Sequence, residues 1–267
     1  MEGLESREIA KLTNEGITRG TDCVACESPL SIIIEHELHG RHELGITMRT
    51  DGHDKLLVLG FIYSEGIIST IDDVSKFEIS NDCATIKLFK NANFDPIKHC
   101  RRSTVTSSCG ICGRASIEGD MLEGTNELDE RMKIGLDAIA NCLEAVTRKQ
   151  LIFAKTGGSH ACASFTSNGT IERIFEDVGR HNAFDKLVGS YIDDGSITQT
   201  ELGAFVSGRA SYELVQKSIR AGFPIMIAIG APSSLAVDLA KEYGMTLGCF
   251  AKDDSIKLFS GVRRILQ

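Results

Sequence analysis

Two cysteines three positions apart, Cys109 and Cys112, sit in Ser107-Ser108-Cys109-Gly110-Ile111-Cys112-Gly113-Arg114 and are the residues whose types and spacing best suit chemistry. Three chemistries fit such a pair. It can be a redox dithiol, which in thioredoxin-like proteins belongs to a βαβ unit. It can supply two of the four ligands of a zinc ion, and Cys23 and Cys26 form a second pair, although far away along the chain. It can carry sulfur as a persulfide. That role needs an accessible thiol whose ionised form is favoured, and Arg101, Arg102 and Arg114 bring positive charge close in sequence. The glycines let the backbone turn a sulfur from donor to acceptor.

Two further segments suit anion binding. Glu176-Asp177-Val178-Gly179-Arg180-His181-Asn182-Ala183 and Ser207-Gly208-Arg209-Ala210-Ser211 each join an apolar run to a helical pattern through a glycine and an arginine. A helix start offers free N–H groups to an anion, and Arg180, His181 and Arg209 can add charge-assisted hydrogen bonds to phosphate. The plainer reading is a helix cap with structural ion pairs. Gly157-Gly158-Ser159-His160 precedes a strand pattern, where His160 serves structure or ligand equally well. His36, His39 and His42 resemble a metal cluster, but a solvated turn between strands is expected there.

The elements that must hold these residues follow from periodicity. Residues 1–20 are polar and aperiodic, which predicts a loosely held start. Strands are expected at 31–34, 45–49, 77–79 and 85–89 and a helix at 54–66, a small α+β unit. Residues 91–115 are polar, basic and Gly-rich and predict a loop between two domains, 1–105 and 106–267. Beyond it a helix is expected over 129–149, then strands at 161–166 and 171–175 around the Asn168-Gly169 turn. A helix over 182–192, strand 203–206, helix 210–221, strand 224–229, helix 234–243 and strands 245–250 and 255–259 complete the pattern. Such alternation argues for an open α/β sheet with helices on its faces. Ligands of such sheets bind outside the carboxyl ends of the strands.

The chain has 267 residues, 25% charged and 42% hydrophobic, with a net charge of −8. The acidic balance argues against nucleic acid as a partner. No stretch is long and apolar enough to span a bilayer, and the N-terminus does not read as a signal peptide, so a cytoplasmic protein without membrane contact is expected. Its nine cysteines are then mostly reduced, and Cys142 and Cys162 read as buried apolar residues.

Taken together, Ser108–Gly113, Gly157–His160, Glu176–Ala183, Ser207–Ser211 and Ala231-Pro232-Ser233-Ser234-Leu235-Ala236 resemble, in order and spacing, the FdhD family of sulfur carriers required for formate dehydrogenase activity. Gly60–Ile68 fits the family's N-terminal half, and the likeness spans most of residues 22–259. The resemblance implies a sulfurtransferase. Cys109 accepts persulfide sulfur from a cysteine desulfurase, with Cys112 assisting. The sulfur passes to a bound molybdenum bis(molybdopterin guanine dinucleotide) cofactor destined for apo-formate dehydrogenase, and a guanine nucleotide would mimic that ligand. The implied cofactor contacts are Phe250, Ala251, Lys252, Asp253, Asp254 and Ser255, with Arg180, His181, Arg209 and His160 beside them. This chain places two aspartates next to Lys252 where the family is more basic, and Cys23 and Cys26 stand where the family is apolar. A homodimer is implied. So is a larger domain with a cytidine-deaminase-like mixed sheet flanked by helices, behind the smaller N-terminal α+β domain. The H-x-E and P-C-x-x-C zinc pattern of deaminases is replaced by His160-Ala161-Cys162 and Pro232–Ala236, which implies a scaffold without the metal. Two rivals are a cofactor-binding chaperone without catalysis and a thiol–disulfide oxidoreductase.

Overall fold

A computed structural model of the chain describes residues 3–100, 122, 125, 127–196 and 199–266. Cys109, Cys112, Arg101, Arg102, Arg114 and the expected boundary at 105/106 lie outside the described residues.

The chain opens with β1 (Leu4–Thr13) and β2 (Gly16–Ala25), a two-stranded antiparallel ribbon. This corrects the expectation of a loose start. Nearly every ribbon position is exposed, so neither face selects the apolar alternation by which strands are recognised. β3 (Ser28–His36) and β4 (Gly40–Arg49) follow as a hairpin, then α1 (Asp54–Ser64), β5 (Val74–Ser80) and β6 (Cys83–Leu88). These four strands form a sheet in the order β4-β3-β6-β5, with β3 and β6 parallel. Asn81 and Asp82, both at positive φ, make the tight β5–β6 turn, the backbone a two-residue type I′ hairpin requires.

A one-turn helix α2 (Pro96–His99) precedes the undescribed segment. After it come α3 (Leu136–Lys149), α4 (Leu151–Thr156), β7 (His160–Phe165), β8 (Ile171–Asp177) and α5 (Arg180–Asp193). The chain continues with β9 (Gly203–Val206), α6 (Tyr212–Arg220), β10 (Ile225–Ala228), α7 (Ser234–Glu242), β11 (Thr246–Lys252) and β12 (Ser255–Ser260). The helix expected from 129 begins only at Leu136. Residues before it are extended, because Ile134 bridges Ile265 and Gly135 caps the helix with extended backbone. Met132 is therefore core, but not part of a helical stripe. The buried stripe of α3 is Ile139, Cys142, Leu143 and Val146, the i, i+3, i+4, i+7 face of an amphipathic helix. The short α4 was not expected.

The second sheet has the order β12-β11-β10-β9-β7-β8. β9, β10 and β11 are parallel, while β7 runs against both β8 and β9, and β12 against β11. The molecule is thus a mixed α/β protein. Alternate strand residues face two cores. Ala161, Ala163, Phe205 and Ile227 pack with α3. Cys162, Val206, Met226 and Ala228 join α5, α6 and α7 in a cluster that continues through α1 into the four-stranded sheet. Helices α1 and α5 touch backbone to backbone: a Cβ on Gly60 would run into the Asp185 carbonyl, and one on Gly189 into that of Leu56.

Candidate functional site at the strand ends

Because β7 is reversed, its first residue lies where its neighbours end. His160 pairs with Asp177, the last residue of β8, and Cys162 with Val206, the last of β9. One edge of the sheet therefore collects His160, Gly179-Arg180, Ser207-Gly208-Arg209, Gly230–Ser233 and Phe250. Gly208 lies against both neighbours: a Cβ there would sit 3.4 Å from Arg180 Cδ and 3.4 Å from His160 Nδ1. Gly230 donates its N–H to Gly208 O (2.9 Å), and Phe250 N–H reaches Gly230 O (3.4 Å). A Cβ on Gly230 would come within 2.8 Å of the Arg209 backbone. The site is a cradle of closely packed backbone whose two turns carry arginines, Arg180 half-buried and Arg209 exposed.

Three helices, α5, α6 and α7, begin at this edge, so their positive dipole ends meet there. Ser211 and Ser233 cap α6 and α7 through their hydroxyls, whereas α5 starts at Gly179 with no side-chain cap. Arginines, glycines and helix starts together suit a phosphate-bearing ligand.

The two histidines play a different part from the arginines. Burial and the Arg180 charge hold the His160 imidazole below its usual range. His181 is buried, which pushes it down to about 4. Its Nε2 lies 3.1 Å from Ser211 Oγ and 3.6 Å from Glu213 Oε2. Near neutral pH the cationic charge of the edge comes from the arginines.

Behind the cradle stand two buried ion pairs that periodicity does not reveal. Asp177 is fully buried and pairs with Lys186 (2.8 Å); it also accepts N–H bonds from Thr50, Gly179 and Asn182. Asn182 in turn donates to Met48 O at 2.7 Å. Asp177 and Asn182 thereby tie the strand-end turn to β4 of the first sheet. Asp185 pairs with Lys217, which also meets Glu213. Glu176 accepts N–H bonds from Ile152 and Phe153 and the Ser159 hydroxyl, fixing α4 and the approach to His160. Ser207 Oγ, given no role of its own in the sequence, accepts from Ala161 N and lies 3.5 Å from His160 Nδ1.

The stretch from Phe250 to Ser255 divides. Phe250 sits level with Gly230 at positive φ, and Lys257 Nζ lies 4.8 Å from its ring centre. Ala251 is buried. Lys252, Asp253, Asp254 and Ser255 form the exposed tip of the β11–β12 hairpin beyond the cradle.

Seven cysteines are described. Burial raises Cys100, Cys162, Cys142 and Cys249, the last two up to about 12. Cys26 is pushed up to about 11 by burial and by Asp51, to which its Sγ donates at 3.1 Å. These five are held as thiols, not as the nucleophilic thiolate. His36, His39 and His42 flank the β3–β4 turn, and His36 and His39 stack at 4.8 Å. Among the described residues no group of three His, Cys, Asp or Glu side chains could hold a metal ion, and no helix is long and apolar enough to cross a membrane.

A mixed α/β fold with an anion-suited cradle at its strand ends defines the class. The family follows from sequence: residues 25–266 match the model of the FdhD/NarQ family, and the chain belongs to it. It is 41% identical to the sulfur carrier protein FdhD of Sulfurisphaera tokodaii, covering 97% of this chain and 98% of that one. It is 38% identical to the protein of the same name from Thermoplasma acidophilum, covering 98% and 93%. The fold is similar to the crystal structure of a protein described as a formate dehydrogenase accessory protein from Desulfotalea psychrophila. The TM-score is 0.77 at 22% identity, over 98% of this chain and 99% of that one.

Proposed function

We propose that this chain is a sulfur carrier that takes persulfide sulfur from a cysteine desulfurase on Cys109 and delivers it to a molybdenum bis(molybdopterin guanine dinucleotide) acceptor for apo-formate dehydrogenase. The observation that carries the reading is full-length similarity to relatives named sulfur carrier protein FdhD, joined to a strand-end cradle suited to phosphate. In loading, the Cys109 thiolate attacks the outer sulfur of the donor's persulfide, and the donor's thiolate leaves. In delivery, the Cys112 thiolate attacks the inner sulfur of the Cys109 persulfide. A Cys109–Cys112 disulfide forms, and the outer sulfur departs as sulfide, reduced by the electron pair the dithiol gives up. Cellular thiols then reopen the disulfide.

The acceptor is a substrate, and the residues fit it. Gly230 lets the Gly208-Arg209 turn pack directly against its own backbone, which brings the two strand-end turns together, and Arg180 and Arg209 supply positive charge for the acceptor's phosphates. Phe250 lies level with Gly230 and the hairpin tip from Lys252 to Ser255 lies beyond it, and a guanine nucleotide would bind along this end of the sheet. The reversed strand β7 within an otherwise parallel run supports a cytidine-deaminase-like second domain following a smaller first one. A cytoplasmic homodimer completes the reading.

The test is formate dehydrogenase activity in cells lacking this chain. Wild type restores it and Cys109→Ala does not. Restoration by Cys109→Ala favours a chaperone that only shelters the cofactor.

A further inference from the structure

We infer that Glu213 is a positioning residue that keeps the His181 ring proton on Nε2, leaving Nδ1 as a hydrogen-bond acceptor for a donor group of the strand-end ligand. The inference rests on the cradle being a ligand site, as proposed above.

Nε2 faces two oxygens, Ser211 Oγ at 3.1 Å and Glu213 Oε2 at 3.6 Å. Ser211 alone does not fix the tautomer, because a hydroxyl both donates and accepts. Glu213 decides it. An ionised carboxylate only accepts and repels a bare nitrogen lone pair, so the proton belongs on Nε2. Glu213 is held in that position by Lys217, four residues along α6 at 3.5 Å, and Lys217 is anchored by Asp185 at 2.6 Å. All three residues are buried, so the geometry is fixed by packing as well as charge.

The other ring nitrogen, Nδ1, is buried and has no hydrogen-bond partner. A buried acceptor left open is costly and rare, and such groups concentrate where a ligand or water completes them. His181 is the second residue of α5, directly after Arg180, and its Nε2 contact is Ser211, two residues after Arg209. The imidazole that carries the open acceptor thus belongs to a residue set between the two arginine-bearing turns. Arginines read negative charge; an imidazole lone pair reads an N–H or O–H donor, such as a hydroxyl or amine of a nucleotide-like ligand. His181 would then select by hydrogen-bond polarity rather than by charge.

The experiment is imidazole nitrogen NMR on the full chain at pH 7, without and with GDP as the probe, for wild type, Glu213→Gln and Ser211→Ala. In wild type the His181 ring should be neutral with the proton on Nε2, and saturating GDP should shift the Nδ1 resonance. In Glu213→Gln, whose amide can donate to Nε2, the ring should populate the other tautomer, and GDP affinity should fall several-fold while the spectrum elsewhere stays native. Ser211→Ala should keep the Nε2 proton. A ring that is protonated at pH 7, or carries its proton on Nδ1 in wild type, overturns the inference. So does a Nδ1 signal unmoved while GDP saturates the protein. Absence of any GDP binding instead removes the ligand role and the cradle reading together, whereas the tautomer result still decides what Glu213 does.

Discussion

Arg209 and Gly230 separate the two contributions to the cradle, charge and close backbone packing. Arg209 is exposed at the strand end, so Arg209→Ala should leave the fold intact. It should weaken GDP binding about tenfold, on the order of one charge-assisted hydrogen bond, ~1.4 kcal/mol, in a calorimetric titration. Gly230→Ala must displace the Arg209 backbone. It should lower both GDP affinity and stability, the latter by about 1–3 kcal/mol, as overpacking does. The linked charges behind the cradle make a pH prediction. Burial raises Asp185 to about 6 from 3.8, so the folded state binds more protons than the unfolded one between those values, and this group makes stability fall as pH rises. His181 is lowered to about 4 from 6.5, so the unfolded state binds more protons and this group makes stability rise with pH. The two act against each other from about pH 4 to 6. Measured by urea unfolding relative to wild type, Asp185→Asn should gain stability with rising pH across that window and His181→Gln should lose it. Slopes of the same sign would contradict the assignment.

At the scale of elements, α5 carries much of the architecture. Asp185 and Lys186 are adjacent on it yet serve different partners, Lys217 of α6 and Asp177 of β8. Lys186→Met would strand the fully buried Asp177 carboxylate. The expected loss is about 3–5 kcal/mol, read as a lower unfolding midpoint, partly recovered in a Lys186→Met, Asp177→Asn double variant. Much of this layer was legible in sequence. Strand 203–206 matches β9 to the residue, the Asn168-Gly169 turn joins β7 and β8, and both Gly-Arg turns open helices. That the Arg180 and Arg209 turns lie at strand ends was legible too, because each follows an apolar run and opens a helix. The ion pairs were not legible, because Glu213 and Lys217 at i, i+4 look like an ordinary surface pair until α6 is seen to be buried on both sides. Nor was the lowered basicity of His181, which comes from burial rather than from neighbours in sequence. The N-terminal ribbon was missed because it buries neither face. Helix α3 was started too early because the core residue Met132, four positions before Leu136, mimics its stripe from an extended segment.

Over the whole molecule, the C-terminus acts as a strap. Arg264 is fully buried, and no carboxylate pairs with it among the described residues; its guanidinium donates to the carbonyls of Leu128, Asp129 and Gly244. Ile134 and Leu266 complete the tie through backbone hydrogen bonds. Arg264→Ala would leave several buried carbonyls unmet at about 1–3 kcal/mol each, so a marked fall in melting temperature is expected from a site far from the cradle. The thiols divide on the same scale. Five of the seven described cysteines are held protonated by their surroundings, which makes general thiol reactivity across the chain unfavourable. Sulfur loading should therefore be selective. The most direct measurement is the intact mass of the protein after incubation with a cysteine desulfurase and cysteine, for wild type and Cys109→Ala. A gain of one sulfur in wild type, reversed by reductant and absent from the variant, is the predicted result; no gain in wild type with an active donor, or a gain that persists in Cys109→Ala, would contradict sulfur carriage on Cys109.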